Sequence, residues 1–399
     1  MTSEKDVAGN GRWLVWLLGS VVLTQTALNL ARPLLSYRAI SFGADELAIG
    51  LITAAYALVS VVSAVPLGRF TDRYPRSPLV IVAGTLLLAA APVLMALSTS
   101  LWTLALGGTV LGLGHLVFMI AGQGLVARLS PEDGLDRNFG WFTAAVSVGQ
   151  MAGPALAGAL LGEASGAALR EPTRMALLVA VVVALLALPG LLGVARGGGG
   201  RVPPTPERGP RLPLTGLLRS PGIPTGLFVS LALLAAVDIL TAYLPLIAEQ
   251  NGIAPTVAGA LLSLRAAASI ASRLLLPVLL RRWSRRALIV VSAAGAAVAL
   301  AVVPLPLSGP AVMAVALGVG GFLLGLGQPL TMTTVVRAVP ASARSTALAL
   351  RLMSNRVGQV AMPAGASLVA TATGVGGALW FTCAVLALAA GAAARTPGD

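Results

Sequence analysis

Twelve apolar runs, each long enough to cross a bilayer, constrain this chain more than any other feature. A hydrocarbon core about 30 Å thick takes about 20 helical residues. Runs of that length occupy 13–35, 47–67, 78–98, 101–126, 139–161, 175–195, 223–248, 256–280, 287–307, 311–335, 346–371 and 374–393. They are rich in Leu, Ala, Val and Gly and lack the alternation of a membrane β-barrel. Backbone polar groups in lipid have no water to satisfy them, so the runs are expected to be helices. Only 10% of the 399 residues are charged and 57% are hydrophobic, against about a quarter charged in soluble domains, which excludes a water-soluble fold. The expectation is an all-α membrane protein with twelve transmembrane helices. The first twelve residues are polar and end in Arg12, and no small-residue cleavage site follows the first run. That run reads as a retained helix rather than a signal peptide.

Basic residues outnumber acidic ones 27 to 14, for a net charge of +13. A nucleic-acid partner would require those charges on one solvated face, whereas here they lie between apolar runs. Placing the N-terminus in the cytoplasm gives that side 19 of them: Lys5, Arg12, Arg69, Arg73, Arg76, Arg128, Arg137, Arg196, Arg201, Arg208, Arg211, Arg219, Arg281, Arg282, Arg285, Arg286, Arg337, Arg344 and Arg395. The other side receives Arg38, Arg170 and Arg174. The positive-inside rule then predicts both termini in the cytoplasm, and no nucleic-acid partner is needed to explain the charge.

Residues 196–222 are dense in Gly, Pro and Arg and contain no apolar run. Such a stretch cannot bury enough surface to fold and reads as a cytoplasmic linker. It divides the chain into two six-helix bundles, 1–195 and 223–399. A constant offset of 209 residues aligns the second with the first: Gly50 with Gly259, Ser60 with Ser269, Ser63 with Ser272, Arg73 and Arg76 with Arg282 and Arg285, Gly112 with Gly321, Arg128 with Arg337, Pro131 with Pro340. Within the same register Gly149-Gln150-Met151-Ala152-Gly153-Pro154 meets Gly358-Gln359-Val360-Ala361-Met362-Pro363. Two parallel repeats of this kind imply alternating access, with two bundles rocking around a site near the midplane.

Between the second and third runs stands Gly68-Arg69-Phe70-Thr71-Asp72-Arg73-Tyr74-Pro75-Arg76. The fifth run carries Gly140, Gly149, Gly153, Pro154 and Gly158, with Ala157 before the last glycine. These stretches resemble the cytoplasmic loop motif and the fifth-span motif of the major facilitator superfamily, the latter in its proton-coupled exporters. The resemblance covers nearly the whole chain and implies the major facilitator fold, with Gly68, Asp72, Arg73 and Arg76 latching the halves in the outward-facing state. A positive-inside anchor explains the arginines of that loop, though not Asp72 and Gly68 at this spacing. For the fifth run, ordinary small-residue helix packing is the alternative. The chain departs from the family in the first run, where Arg32-Pro33 lacks the second proline of that span's motif, and in two further places. Arg281 stands where the second repeat would echo Asp72, and Gly108 stands where many drug exporters carry an arginine four residues before a glycine, here Gly112.

Charges inside the membrane cost about 2.5–3.5 kcal/mol each at mid-span, so each asks for a reason. Asp238 is the one carboxylate deep in a run, with Asn29 opposite it in the repeat. It is the first candidate for proton coupling, the alternative being a structural ion pair with an arginine. His115, mid-way along the fourth run, is a second candidate for proton transfer, or else a neutral hydrogen-bonded group. Arg32, Arg265, Arg273, Arg351 and Arg356 fall within or near the runs. Arg351, Asn355, Gln359 and Pro363 recur every four residues and so share a helical face. That face suits a cavity wall binding an anionic group, or an arginine that snorkels or pairs with Asp238. Arg351, Asn355 and Gln359, with Asn29, Gln25, Arg32, Arg265, Arg356, Gln123 and Gln328, form the expected substrate-binding set.

Cys383 and His115 are the single cysteine and histidine, so no disulfide framework and no Cys- or His-based metal site is expected. The glycine pairs Gly112/Gly114 and Gly325/Gly327 follow no strand and precede no phosphate-loop Lys-Ser/Thr, so neither ATP use, a cofactor nor an enzymatic activity is expected. The leading expectation is a secondary active transporter of the cell membrane, a monomer, exporting a small molecule against protons. An uptake carrier for an anionic or zwitterionic solute is the alternative, and a transport-inactive sensor or scaffold a third. Eighteen aromatic residues are few for a cation-binding aromatic cage.

Overall fold

A computed structural model describes residues 12–73, 77–130, 135–197, 222–305, 309–338 and 344–396. The described residues form helices and their connections, with no strand among them. In chain order the helices are α1 (Arg12–Ile40), α2 (Glu46–Arg73), α3 (Ser77–Ala96), α4 (Leu101–Leu129), α5 (Leu135–Leu161), α6 (Arg170–Leu185), α7 (Leu188–Gly197), α8 (Ile223–Gln250), α9 (Pro255–Leu279), α10 (Arg285–Ala301), α11 (Pro310–Arg337), α12 (Arg344–Thr373) and α13 (Gly376–Arg395). Their starts follow from local chemistry. Ser100 and Thr103 close a capping box at α4, and proline opens α8, α9 and α11, where its missing N–H is no loss.

The expected sixth run is two helices. Pro189 has no N–H for the carbonyl of Leu185 and its ring crowds that carbonyl, so the helix breaks at Leu186 and Ala187. Ser20 Oγ donates to the carbonyl of Ala187 at 3.0 Å, beside the bond that carbonyl accepts from Leu191 N, and ties the break to α1. The ninth run is also shorter than expected. Helix α10 ends at Ala301 rather than near 307 and turns at Val302–Pro304, because Pro304 cannot extend the ladder.

Among the described residues, ten stretches of helix are long and apolar enough to cross a membrane. Helix α10, with 17 residues, is too short for that measure, and α12 carries the polar face of Arg351, Asn355 and Gln359. The architecture is nonetheless the expected all-α membrane fold of two six-helix repeats. Large apolar side chains face outward along the helices, among them Val15, Leu58, Val62, Trp102, Leu274, Val298 and Leu388, which suits a surface bathed in lipid.

The described chain clusters into two compact units, one of Met1–Phe42 with Ala55–Thr205 and the other of Gly43–Ala54 with Pro206–Asp399. The first turns of α2 thus belong with the second unit, where Tyr243 Oη donates to the carbonyl of Glu46 at 3.0 Å. Inside each unit the same neighbours recur. In the first, α1 packs on α5 and α6, and α3 on α4 and α6; in the second, α8 packs on α12 and α13, and α10 on α11 and α13. The 209-residue offset also relates two glycine crossings. A Cβ on Gly112 would come 2.9 Å from the carbonyl carbon of Tyr56, and one on Gly321 would come 2.8 Å from Cα of Arg265. Nearly all of the expected linker, 198–221, lies outside the described residues.

Candidate functional site

In the second unit the polar side chains of three helices meet inside an apolar bundle. Helix α8 supplies Ser230 and Asp238, α11 supplies Gln328 and Thr331, and α12 supplies Arg351, Asn355, Arg356 and Gln359. Asp238 is 4% exposed, and its Oδ2 accepts from Gln359 Nε2 at 2.9 Å. Gln359 Oε1 in turn accepts from Arg356 Nη1 at 2.8 Å. One amide therefore stands between the buried carboxylate and a guanidinium, holding both by its two ends.

Further along the same helices, Ser230 Oγ donates to Asn355 Oδ1 at 3.0 Å, and Gln328 Nε2 donates to the carbonyl of Ser230 at 3.1 Å. Arg351 Nη2 donates to Gln328 Oε1 at 2.7 Å, to its carbonyl at 3.2 Å and to Thr331 Oγ1 at 3.4 Å. Arg351 is 8% exposed and its Nε has no hydrogen-bond partner among the described residues. A buried guanidinium held by neutral partners, with a donor to spare, is suited to receive an anionic group. The every-four spacing on α12 puts Asn355 and Gln359 against α8 and Arg351 against α11. The contacts climb α8 and α12 in the same direction, so these two helices run parallel.

Arg265 is buried on α9 where that helix crosses α11 at Gly321, and Arg273 lies two turns on, half-buried. In the first unit the predicted residues fall into two groups. Arg32 on α1 stacks over the Tyr56 ring at 5.3 Å, and Tyr56 Oη lies 3.0 Å from His115 Nδ1 on α4, making one string of Arg32, Tyr56 and His115. Gln25 Nε2 points to Met119 Sδ at 3.6 Å, while Asn29 Nδ2 donates back to the carbonyl of Gln25 at 2.8 Å. Gln123 is exposed on α4, apart from both groups.

Tyr56, Ser230 and Thr331 were not among the expected residues. A serine or threonine is too common in apolar helices to be singled out, although Ser230 lies on the Asp238 helix and is wholly buried. On α5, Gly149 and Gly153 lie against α1. A Cβ at Gly149 would come 2.7 Å from the backbone of Gln25 and Thr26, and one at Gly153 would come 2.6 Å from the nitrogen of Leu30. Pro154 and Gly158 are buried beside them, while Gly140 is exposed in open space. Gly68, Asp72 and Arg73 have backbone within α2, but their side chains, and Arg76 altogether, lie outside the described residues.

Two six-helix repeats, each with polar groups buried among apolar helices, are the architecture of membrane transporters rather than of enzymes. The sequence profile of the Major Facilitator Superfamily matches residues 17–309 and 226–397, and the chain belongs to that family. It is 34% identical over 156 residues to the class C tetracycline resistance protein of Escherichia coli, covering 38% of each chain. It is 35% identical over 118 residues to the class H tetracycline resistance protein of Pasteurella multocida, covering 29% of this chain and 28% of that one. The inner membrane transport protein YajR of Escherichia coli (strain K12) is 33% identical over 134 residues, 33% of this chain and 29% of that one. The chain thus spans under two-fifths of the length of these relatives. Among solved structures, the nucleoside transporter NupG superposes with a TM-score of 0.77 at 14% identity, covering 97% of this chain and 99% of that one. A bacterial homologue of the human lysosomal transporter Spinster gives 0.72 at 18% identity, covering 96% of each. Both likenesses are of fold.

Proposed function

We propose that the chain exports small organic molecules across the cell membrane in exchange for protons, with Asp238 as the coupling carboxylate. The observation that carries this reading is the Asp238–Gln359–Arg356 arrangement on α8 and α12. A carboxylate buried mid-span has a protonation state that alters the cost of each conformation, and Gln359 connects that state to the helix bearing Arg351. Export is favoured by the relatives named for tetracycline resistance and by the small-residue packing of α5 on α1. The protein is expected to be a monomer with both termini in the cytoplasm. Its two carrier domains, 1–195 and 223–399, are joined by the linker 196–222. Gly68, Asp72, Arg73 and Arg76 form the latch.

Expression in a drug-sensitive bacterium against a chemical panel that includes tetracycline would nominate the substrate. Everted vesicles then test the mechanism. A proton gradient, acid inside, should drive accumulation of that compound, and collapsing the gradient should stop it. Asp238→Asn keeps an oxygen that can accept from Gln359, so insertion and yield should hold while gradient-driven accumulation is abolished. Undiminished accumulation by this variant overturns the coupling role.

A second reading is an uptake carrier for an anionic or zwitterionic solute, supported by the buried, under-used guanidinium of Arg351. Accumulation by right-side-out vesicles under an inward proton gradient, together with its loss in Arg351→Gln, would select it.

A further inference from the structure

At the end of the second unit that bears Arg281–Arg286, four helix ends surround a cavity of about 310 Å³. Helices α8 and α10 begin there and α11 and α13 finish there. Its wall includes the guanidinium-bearing residues Arg285, Arg286 and Arg337 and the hydroxyl-bearing residues Thr225, Thr331 and Thr334. None of the described lining residues is acidic. Arg286 also donates to the carbonyl of Ala394, which fixes one side of the cavity to the last turn of α13. Two of the four helices start here and two finish here, so their dipoles offset and the positive charge of the cavity is that of its arginines.

A positive-inside anchor explains arginines at this end of the bundle but not their convergence, with hydroxyls, on one concave site. We propose that this cavity binds a phosphate-bearing anion, either the headgroup of an anionic phospholipid or a free phosphorylated solute. The three arginines would take the phosphate oxygens by charge-assisted hydrogen bonds, joined by the hydroxyl of Thr225, since those of Thr331 and Thr334 already donate to the carbonyls of Gln328 and Leu330. The site is separate from the Asp238–Gln359–Arg356 arrangement and touches the Arg351 group through Thr331, which lines the cavity and accepts from Arg351 Nη2 at 3.4 Å. An anion bound here would therefore bear on α12.

The test uses the full-length protein and two probes. In nanodiscs of phosphatidylglycerol or of phosphatidylcholine, native mass spectrometry should find phosphatidylglycerol retained by the wild type. In detergent, sodium phosphate should raise the melting temperature above that in sodium chloride of equal ionic strength if the ligand is a free phosphate. In the Arg285→Gln/Arg337→Gln variant, whichever binding is found should weaken by about tenfold or more. The single variant Arg337→Gln, at an exposed position, serves if the double variant does not fold. Arg281→Gln/Arg282→Gln removes two exposed charges of the same end outside the cavity and should leave binding unchanged. Retention of phosphatidylglycerol alone identifies a lipid, and a shift with phosphate alone identifies a soluble ligand. Neither effect in the wild type, or equal loss in the Arg281/Arg282 variant, overturns the site.

Discussion

Arg38, in the last turn of α1, is 3% exposed and hands its guanidinium protons to three main-chain carbonyls. These belong to Arg170 at 2.5 Å, Ala96 at 3.1 Å and Ser98 at 3.2 Å. The first lies at the start of α6 and the others where α3 gives way to α4, a helix end with carbonyls that lack partners of their own. Phe42 stacks under both Arg38 and Arg170, at 5.0 and 5.5 Å. Arg38→Ala should therefore destabilise the first unit by about 2–4 kcal/mol. Arg38→Lys should recover only part of that, because an ammonium cannot fork between carbonyls. Apparent melting temperatures of the purified variants check this, and equal values for wild type and Arg38→Ala refute it. In the sequence Arg38 was legible only as one of three basic residues on the less basic side. Its partners lie 58 to 132 residues away, and no local pattern encodes such a contact. The same holds for Asp238, whose burial was legible but whose Gln359 partner, 121 residues away, was not.

Small residues set how closely the helices approach, and on spacing alone every glycine of α5 carries equal weight. The geometry separates them. Gly149 and Gly153 press on the backbone of α1, whereas Gly140 has nothing within 4 Å of where a Cβ would stand. Gly149→Ala and Gly153→Ala should each cost about 1–3 kcal/mol through overpacking, while Gly140→Ala should be neutral or slightly stabilising through helix propensity. The repeat partner of Gly149 is Gly358, where a Cβ would run into Cγ of the Leu231 side chain and come 2.9 Å from its Cδ1. A side chain can turn aside where a backbone cannot, so Gly358→Ala should be milder than Gly149→Ala. Thermal unfolding of the four variants in one detergent orders them, and a Gly140→Ala as damaging as Gly153→Ala would contradict the packing account. Helix identity was legible from apolar length alone, but the partner face of each helix was not. Nor was the break at Leu186–Ala187, although Pro189 was the local signal for it.

The whole-molecule feature most legible in the sequence was the repeat, because Gly, Pro and Arg matched at one offset where Leu and Ala would match by chance. It reappears as physical contact, with Gly112 on Tyr56 and Gly321 on Arg265. Orientation in the membrane rests on the charge asymmetry, and it can be tested cleanly because Cys383 is the only cysteine and is buried. In a Cys383→Ser background, Glu163→Cys and Asn251→Cys place exposed thiols in the connections expected outside. Arg282→Cys places one in a connection expected inside, at the cost of one basic residue among the 19 on that side. A membrane-impermeant maleimide added to intact cells should label the first two and leave the third unlabelled until the cells are opened. Labelling of Arg282→Cys in intact cells would invert the topology. It would also place the arginine-lined cavity of the second unit on the outer face, where it would meet external anions instead of cytoplasmic phosphates or inner-leaflet headgroups.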